Sequence, residues 1–152
     1  MTDESVLLRD PGFMRAVLDV VLPASGAGRL PSAADLDLGG GLADTLEADA
    51  KFGPAVEAGL QAVHDAGMAI DSGGFAGLQP DVRLEVFEGQ LGLNPALVIG
   101  LTLYLYPAYY QHPRVLEALG EPPRPPFPEG FEVEEIDEGL LEKLRSRQRS
   151  SR

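Results

Sequence analysis

Proline stands just inside the start of one apolar run after another in this chain, and that placement commits the fold to helices. Asp10-Pro11, Gly53-Pro54, Gln79-Pro80, Asn94-Pro95 and His112-Pro113 each precede residues whose apolar side chains recur at helical spacing. A proline at the first helical position gives up an N–H that has no intrahelical partner anyway, and its fixed φ suits the helix. Inside a central strand the same residue removes a ladder hydrogen bond. Few β-branched alternations lie between these points, and no hairpin signal separates alternating runs. The chain reads as all-α, a single compact domain of about six or seven helices with long loops.

Phe13, Val17, Leu18, Val20 and Val21 mark a first helix, capped at Asp10 and stopped at Pro23. Residues 24–41 are rich in Gly, Ala and Ser, contain Pro31 and the triplet Gly39-Gly40-Gly41, and read as a long loop with a short turn after Ser32. Leu42, Leu46 and Ala50 suggest a second helix. A third follows from Pro54, Val56, Leu60 and Val63, with Gly53 punctuating the gap and Gly73-Gly74 closing the region. Gln79-Pro80-Asp81 opens a helix with Val82, Val86, Phe87 and Leu91 on its apolar face. Asn94 caps an apolar helix through Leu105. The apolar run from Ala96 to Tyr110 is shorter than the roughly 20 residues of a bilayer span. It contains Pro107, ends in tyrosines and reads as a buried core helix. A short helix starts at His112-Pro113 and ends at Gly120, and Asp137 caps a last one carrying Leu140, Leu141 and Leu144.

Composition narrows the function. At 152 residues and 44% hydrophobic content, the chain can bury a core without covalent staples, as one domain over residues 1–152. It has no cysteine, which removes disulfide scaffolds, thiolate metal sites and cysteine nucleophiles. A net charge of −12 argues against nucleic acid as a partner, because phosphate binding depends on Lys and Arg. All 24 acidic residues lie at or before Glu142, whereas Lys143, Arg145, Arg147, Arg149 and Arg152 crowd a basic tail over residues 143–152. The rest of the chain holds 7 basic and 24 acidic groups, a balance of −17. The tail reads as a solvated, frayed helix end, with RNA or membrane contact as the alternative. The opening Met-Thr-Asp-Glu-Ser lacks a basic n-region and apolar h-region, and no twin-arginine pair precedes a hydrophobic run. A soluble, cytoplasmic chain without its own membrane span is expected.

No catalytic constellation is legible. Asp71-Ser72-Gly73-Gly74 looks superficially like a serine-nucleophile loop, but a triad needs a base and an orienting carboxylate on a large scaffold, so a turn is expected. Asp35 and Asp37 before Gly39-Gly40 lack the third oxygen ligand and the closing glutamate of a calcium loop. His64 has Glu57 nearby, yet Gln61 stands where a Glu-x-x-His metal motif needs a carboxylate. The glycine triplet lacks the preceding strand and glycine spacing of a dinucleotide site. No catalytic, cofactor-binding or metal-binding residue is assigned, and the chain is not expected to be an enzyme by itself.

What remains is aromatic and proline-rich. Tyr104, Tyr106, Tyr109 and Tyr110 are spread around a helix, so at least one faces outward, material typical of a protein interface. Residues 121–131 form a strip with Pro122, Pro123, Pro125, Pro126 and Pro128, which favours polyproline II and holds Phe127 and Phe131 extended. The expected partner-binding set is Tyr106, Tyr109, Tyr110, His112, Arg114, Arg124, Phe127 and Phe131. The rings either dock on another chain or seal this one's core.

The order of these pieces carries a resemblance. An N-terminal helix ends in Val21-Leu22-Pro23, and Gly74-Phe75-x-x-Leu78 precedes an amphipathic helix. Tyr109-Tyr110-x-His112-Pro113 and Leu119-Gly120 lead to the strip reaching Gly130-Phe131, followed by Asp137 and Leu140-Leu141. From about Phe13 to Leu144 the chain resembles the gluconate 2-dehydrogenase subunit 3 family. The resemblance implies a small helical accessory subunit of a flavin-dependent dehydrogenase complex of the glucose–methanol–choline oxidoreductase type. The large flavoprotein subunit would carry FAD and the sugar or alcohol chemistry. The small one, without a cofactor, would support its folding, stability or export. Many relatives carry a twin-arginine signal and this sequence has none, which implies a cytoplasmic complex or export on the partner's signal. A stand-alone helical scaffold and a cofactor-free enzyme using distant carboxylates are the other readings.

Overall fold

The computed structural model describes residues 5–123, and the regular structure among them is entirely helical. The elements are α1 (Ser5–Leu8), α2 (Pro11–Val21), a 3-10 turn (Ala33–Asp35), α3 (Gly39–Ala48), α4 (Gly53–Ile70), α5 (Gly74–Gly77), α6 (Pro80–Leu93), α7 (Pro95–Tyr110) and α8 (Pro113–Leu119). The all-α expectation holds, with no strand among the described residues. Residues 124–152 fall outside them, and with them most of the proline strip, the helix expected after Asp137, the basic tail, and Arg124, Phe127 and Phe131.

Four of the five proline starts are helix starts to the residue: α2, α6, α7 and α8 open at Pro11, Pro80, Pro95 and Pro113. At α2 the Asp10 carboxylate accepts from the N–H groups of Gly12 and Phe13 at 2.8 and 3.0 Å, satisfying two of the orphan donors of the first turn. At α8 His112 is itself the cap, its Nδ1 accepting from the Arg114 N–H at 3.3 Å. Gly120, at φ 80°, closes that helix in the left-handed conformation. Asn94 stands at the start of α7 but does not cap it; its amide nitrogen donates back to the Gln90 carbonyl and side chain of α6.

Three further expectations are corrected. The glycine triplet is not loop but the first turn of α3, because Leu42, Ala43 and Leu46 are buried and the helix extends backward from them. That helix stops at Ala48, leaving Ala50 in an exposed turn held by the Asp49 carboxylate, which accepts from the Lys51 and Phe52 N–H groups. The run Ala96–Tyr110 is not a buried core helix: Val98, Ile99, Leu103, Tyr106 and Tyr110 are exposed, since the other described elements cover only part of its circumference.

α4 is the hub, touched by α1, α3, α5, α6 and the first turns of α7. Its buried stripe is Val56, Leu60, Val63 and Gly67, spaced by four, three and four residues as one helix face requires. Glycines set how closely its neighbours approach. A Cβ on Gly67 would collide with the Phe75 backbone of α5, and one on Gly100 with the Val56 side chain. The core continues from Leu8 through Phe13, Val17 and Leu46 to Phe75, Phe87, Leu97 and Val115. Phe13 meets Phe75 edge-on at 5.9 Å, and Phe75 meets Phe87 at 6.4 Å.

Candidate partner-docking face on the seventh helix

α7 is built of three windings: α from Pro95 to Gly100, π over Leu101–Leu105, and α again from Tyr106 to Tyr110. The cause is local. Pro107 has no N–H, and its ring crowds the carbonyl four residues earlier, so the turn before it widens and the Tyr106 N–H donates to the Leu101 carbonyl. An α-helix turns about 100° per residue, so a stripe at spacing four drifts by about 40° per step. The wider π winding turns less per residue and offsets that drift. Leu97, Leu101, Leu105 and Tyr109 therefore all stay buried along one line.

Two further faces are left. The outer one carries Ile99 at 45% exposure, Leu103 at 53% and Tyr110 at 45%, a run of large apolar side chains open to water. The Tyr106 and Tyr110 rings lie 6.3 Å apart, adding continuous aromatic surface. The third face, with Val98, Thr102 and Tyr106, forms one side of a groove of about 210 Å³ closed by Val20 and Val21 of α2 and by Leu84, Phe87, Glu88 and Leu91 of α6.

The expected site residues divide. Tyr106 and Tyr110 are exposed, His112 is half-buried at its cap, and Arg114 is exposed. Tyr109 is not available to a partner: it is 2% exposed, and its hydroxyl donates to the Pro31 carbonyl at 2.8 Å. Burial pushes its phenol pKa up, with the neighbouring Tyr110 adding to the shift. Arg114 donates to the Asp35 carbonyl at 3.2 Å and so braces the same segment that Tyr109 holds. From the other side Arg15 donates to the Ala34 carbonyl and pairs with Asp35 at 2.8 Å, while the buried Ser32 hydroxyl donates to Asp19 at 2.6 Å. These contacts make the Gly- and Ala-rich connection an ordered part of the body, something its composition did not signal.

A second hollow of about 350 Å³ lies between α1, α2 and the start of α3, with Leu8, Met14 and Leu18 on its floor and Arg9 and Arg15 at its rim. Neither arginine is free: Arg9 pairs with Glu47 and Asp44, which raise its pKa further, and Arg15 is held by Asp35. The other sequence candidates take structural positions. Asp71 accepts from the Gly73 N–H at 2.7 Å and so makes Ser72 part of a turn, and His64 packs edge-on against Phe13 at 5.6 Å. Among the described residues no group of three or more His, Asp or Glu is placed to hold a metal ion. One polar pair was missed: the half-buried Tyr104 hydroxyl donates to Asp49, a contact 55 residues apart in sequence. The hydrogen bond raises the tyrosine pKa and lowers that of the carboxylate, which Phe52 and Lys51 N–H groups lower further.

Among the described residues no single helix is long and apolar enough to cross a membrane; α6 and α7 reach that length only together, and they bend by 106° where they join. No family model, curated protein or solved structure matches the chain.

Proposed function

We propose that this domain is a non-catalytic accessory subunit that docks, through the outer face of α7 and the adjoining chain toward Phe131, on the flavoprotein large subunit of an FAD-dependent sugar or alcohol dehydrogenase. The observation that carries the reading is the outer face itself. Ile99, Leu103 and Tyr110 are large and exposed on that one face, with the Tyr106 ring beside Tyr110 at its edge, which is the composition of an interface core and not of an ordinary solvated face. His112 and Arg114 lie just beyond it and supply polar groups for a rim. The flavin partner comes from the resemblance of the Tyr109-Tyr110-x-His112-Pro113 to proline-strip succession. FAD and the redox chemistry then belong to the large subunit, and the complex resides in the cytoplasm or is exported on the partner's signal.

Co-expression with a flavoprotein of the glucose–methanol–choline type encoded beside this chain tests the reading. The expected product is a yellow heteromer, while the chain purified alone is colourless. Tyr110→Ala and Ile99→Ala each weaken assembly by roughly 30-fold, as loss of an interface anchor worth about 2 kcal/mol does, with unchanged circular dichroism. A flavoprotein that reaches full yield and activity without this chain, or full assembly by both variants, overturns it.

A further inference from the structure

The groove between α2, α6 and α7 is lined almost wholly by apolar side chains, Leu84 and Leu91 among them; Glu88 is its acidic lining residue, and the exposed Glu85 lies three residues earlier on the same helix. The body around it is acidic throughout, with 15 acidic and 6 basic side chains over residues 5–123, a balance of −9. The end of the chain has the opposite sign. Residues 140–152 set five basic groups against Glu142 alone, and they begin with Leu140, Leu141 and Leu144.

We propose that this groove is the seat of the chain's own residues 140–149, with Leu140, Leu141 and Leu144 on the apolar floor and Arg145, Arg147 and Arg149 along Glu85 and Glu88. Charge and apolar order match, since three leucines meet an apolar hollow and the arginines that follow meet Glu88, Glu85 and the acidic body around them. The tether reaches. Residues 124–139 extend up to about 50 Å, against a radius of gyration of about 14 Å for a domain of this size. Tethering also presents the segment at a local concentration in the millimolar range, which a second copy or a separate protein meets only at comparable bulk concentration. An anionic lipid surface is repelled by the same acidic body. The proposal rests on the groove and the charge of the tail, so it stands or falls independently of the flavoprotein reading. It replaces the solvated tail that composition alone suggests.

Because the chain has no cysteine, disulfide trapping in the full-length protein is a clean test. Thr102 lines the groove and is exposed; Gly40 borders the other hollow, where an added side chain meets nothing within 4 Å. Under mild oxidation, Thr102→Cys with Glu142→Cys is expected to close within one chain at least ~10-fold faster than Gly40→Cys with Glu142→Cys, the advantage that local concentration gives. Replacing Leu140, Leu141 and Leu144 by Ser abolishes the difference, and about 1 M salt reduces it by screening the arginines. Circular dichroism confirms that each variant keeps its helices. Equal closure rates overturn the proposal and leave the groove to another protein. A covalent dimer that grows with protein concentration overturns it in favour of a second copy.

Discussion

Gly67 and Gly40 show how one residue type takes opposite roles in this chain. At Gly67 the Phe75 backbone occupies the space of a methyl group, and at Gly40 the same space is open. Gly67→Ala therefore forces α4 and α5 apart, with an expected loss of about 1–3 kcal/mol. Gly40→Ala restricts the unfolded chain without a clash and is expected to stabilise by roughly 0.5 kcal/mol. Chemical denaturation of both variants reads the two signs directly. The Tyr104–Asp49 pair makes a pH prediction. Asp49 has a lowered pKa in the fold, so its contribution is present above the unfolded value and is lost as pH falls through the folded one. Tyr104 has a raised pKa, so its contribution is present below the unfolded value and is lost as pH rises through the folded one. Tyr104→Phe removes the hydrogen bond and is expected to flatten both limbs of the stability–pH curve, moving the acid midpoint to higher pH. An unchanged acid limb would assign Asp49's shift to the Lys51 and Phe52 N–H groups alone. None of these residue roles was legible in the sequence, because each depends on what the fold sets beside the residue: the Phe75 backbone at Gly67, open space at Gly40, Asp49 at Tyr104.

Element starts were the most legible feature, and the reason is chemical. A proline at the first helical position combines a missing donor with a preset φ, and both signals are local. Gly39-Gly40-Gly41 was misleading for the complementary reason. Its local preference opposes a helix, and burial of Leu42, Ala43 and Leu46 overrides it. α7 was legible in extent but not in exposure, since an apolar residue on an interface face looks the same in sequence as one in a core. Its π winding explains the odd spacing of its buried stripe, which repeats at four, four and four residues through Leu97, Leu101, Leu105 and Tyr109. Deleting Leu103 converts that spacing to four, three and four, the ordinary α pattern. The shortened protein is expected to keep its helicity and cooperative unfolding, at a cost of roughly 3 kcal/mol for Pro107 inside a regular helix. Deleting Ala62 from α4, whose stripe already has the regular spacing, is expected to abolish folding. Thermal scans followed by circular dichroism distinguish the two, and equal damage by both deletions would refute the register argument.

At the scale of the whole molecule, the all-α architecture of the described residues followed from periodicity, while the assembly of the pieces did not. The sequence placed Tyr109 and Tyr110 together as partner contacts; the fold turns one inward and the other outward, a distinction set by the winding of α7 and by the segment it packs against. The hydrogen bond from Tyr109 to the Pro31 carbonyl joins residues 78 positions apart and closes the connection between α2 and α3 onto the C-terminal end of α7. That loop is longer than those closed by the helix pairs around α4, so the contact is expected to form after they have met. Tyr109→Phe is therefore expected to accelerate unfolding about 5-fold, the equivalent of about 1 kcal/mol for one hydrogen bond, and to leave the refolding rate nearly unchanged. Stopped-flow traces across a denaturant series separate the two limbs, and a slowed refolding limb would place that clasp in the folding nucleus. On that expectation, this single phenol governs the domain's lifetime in the folded state more than the speed with which it is reached.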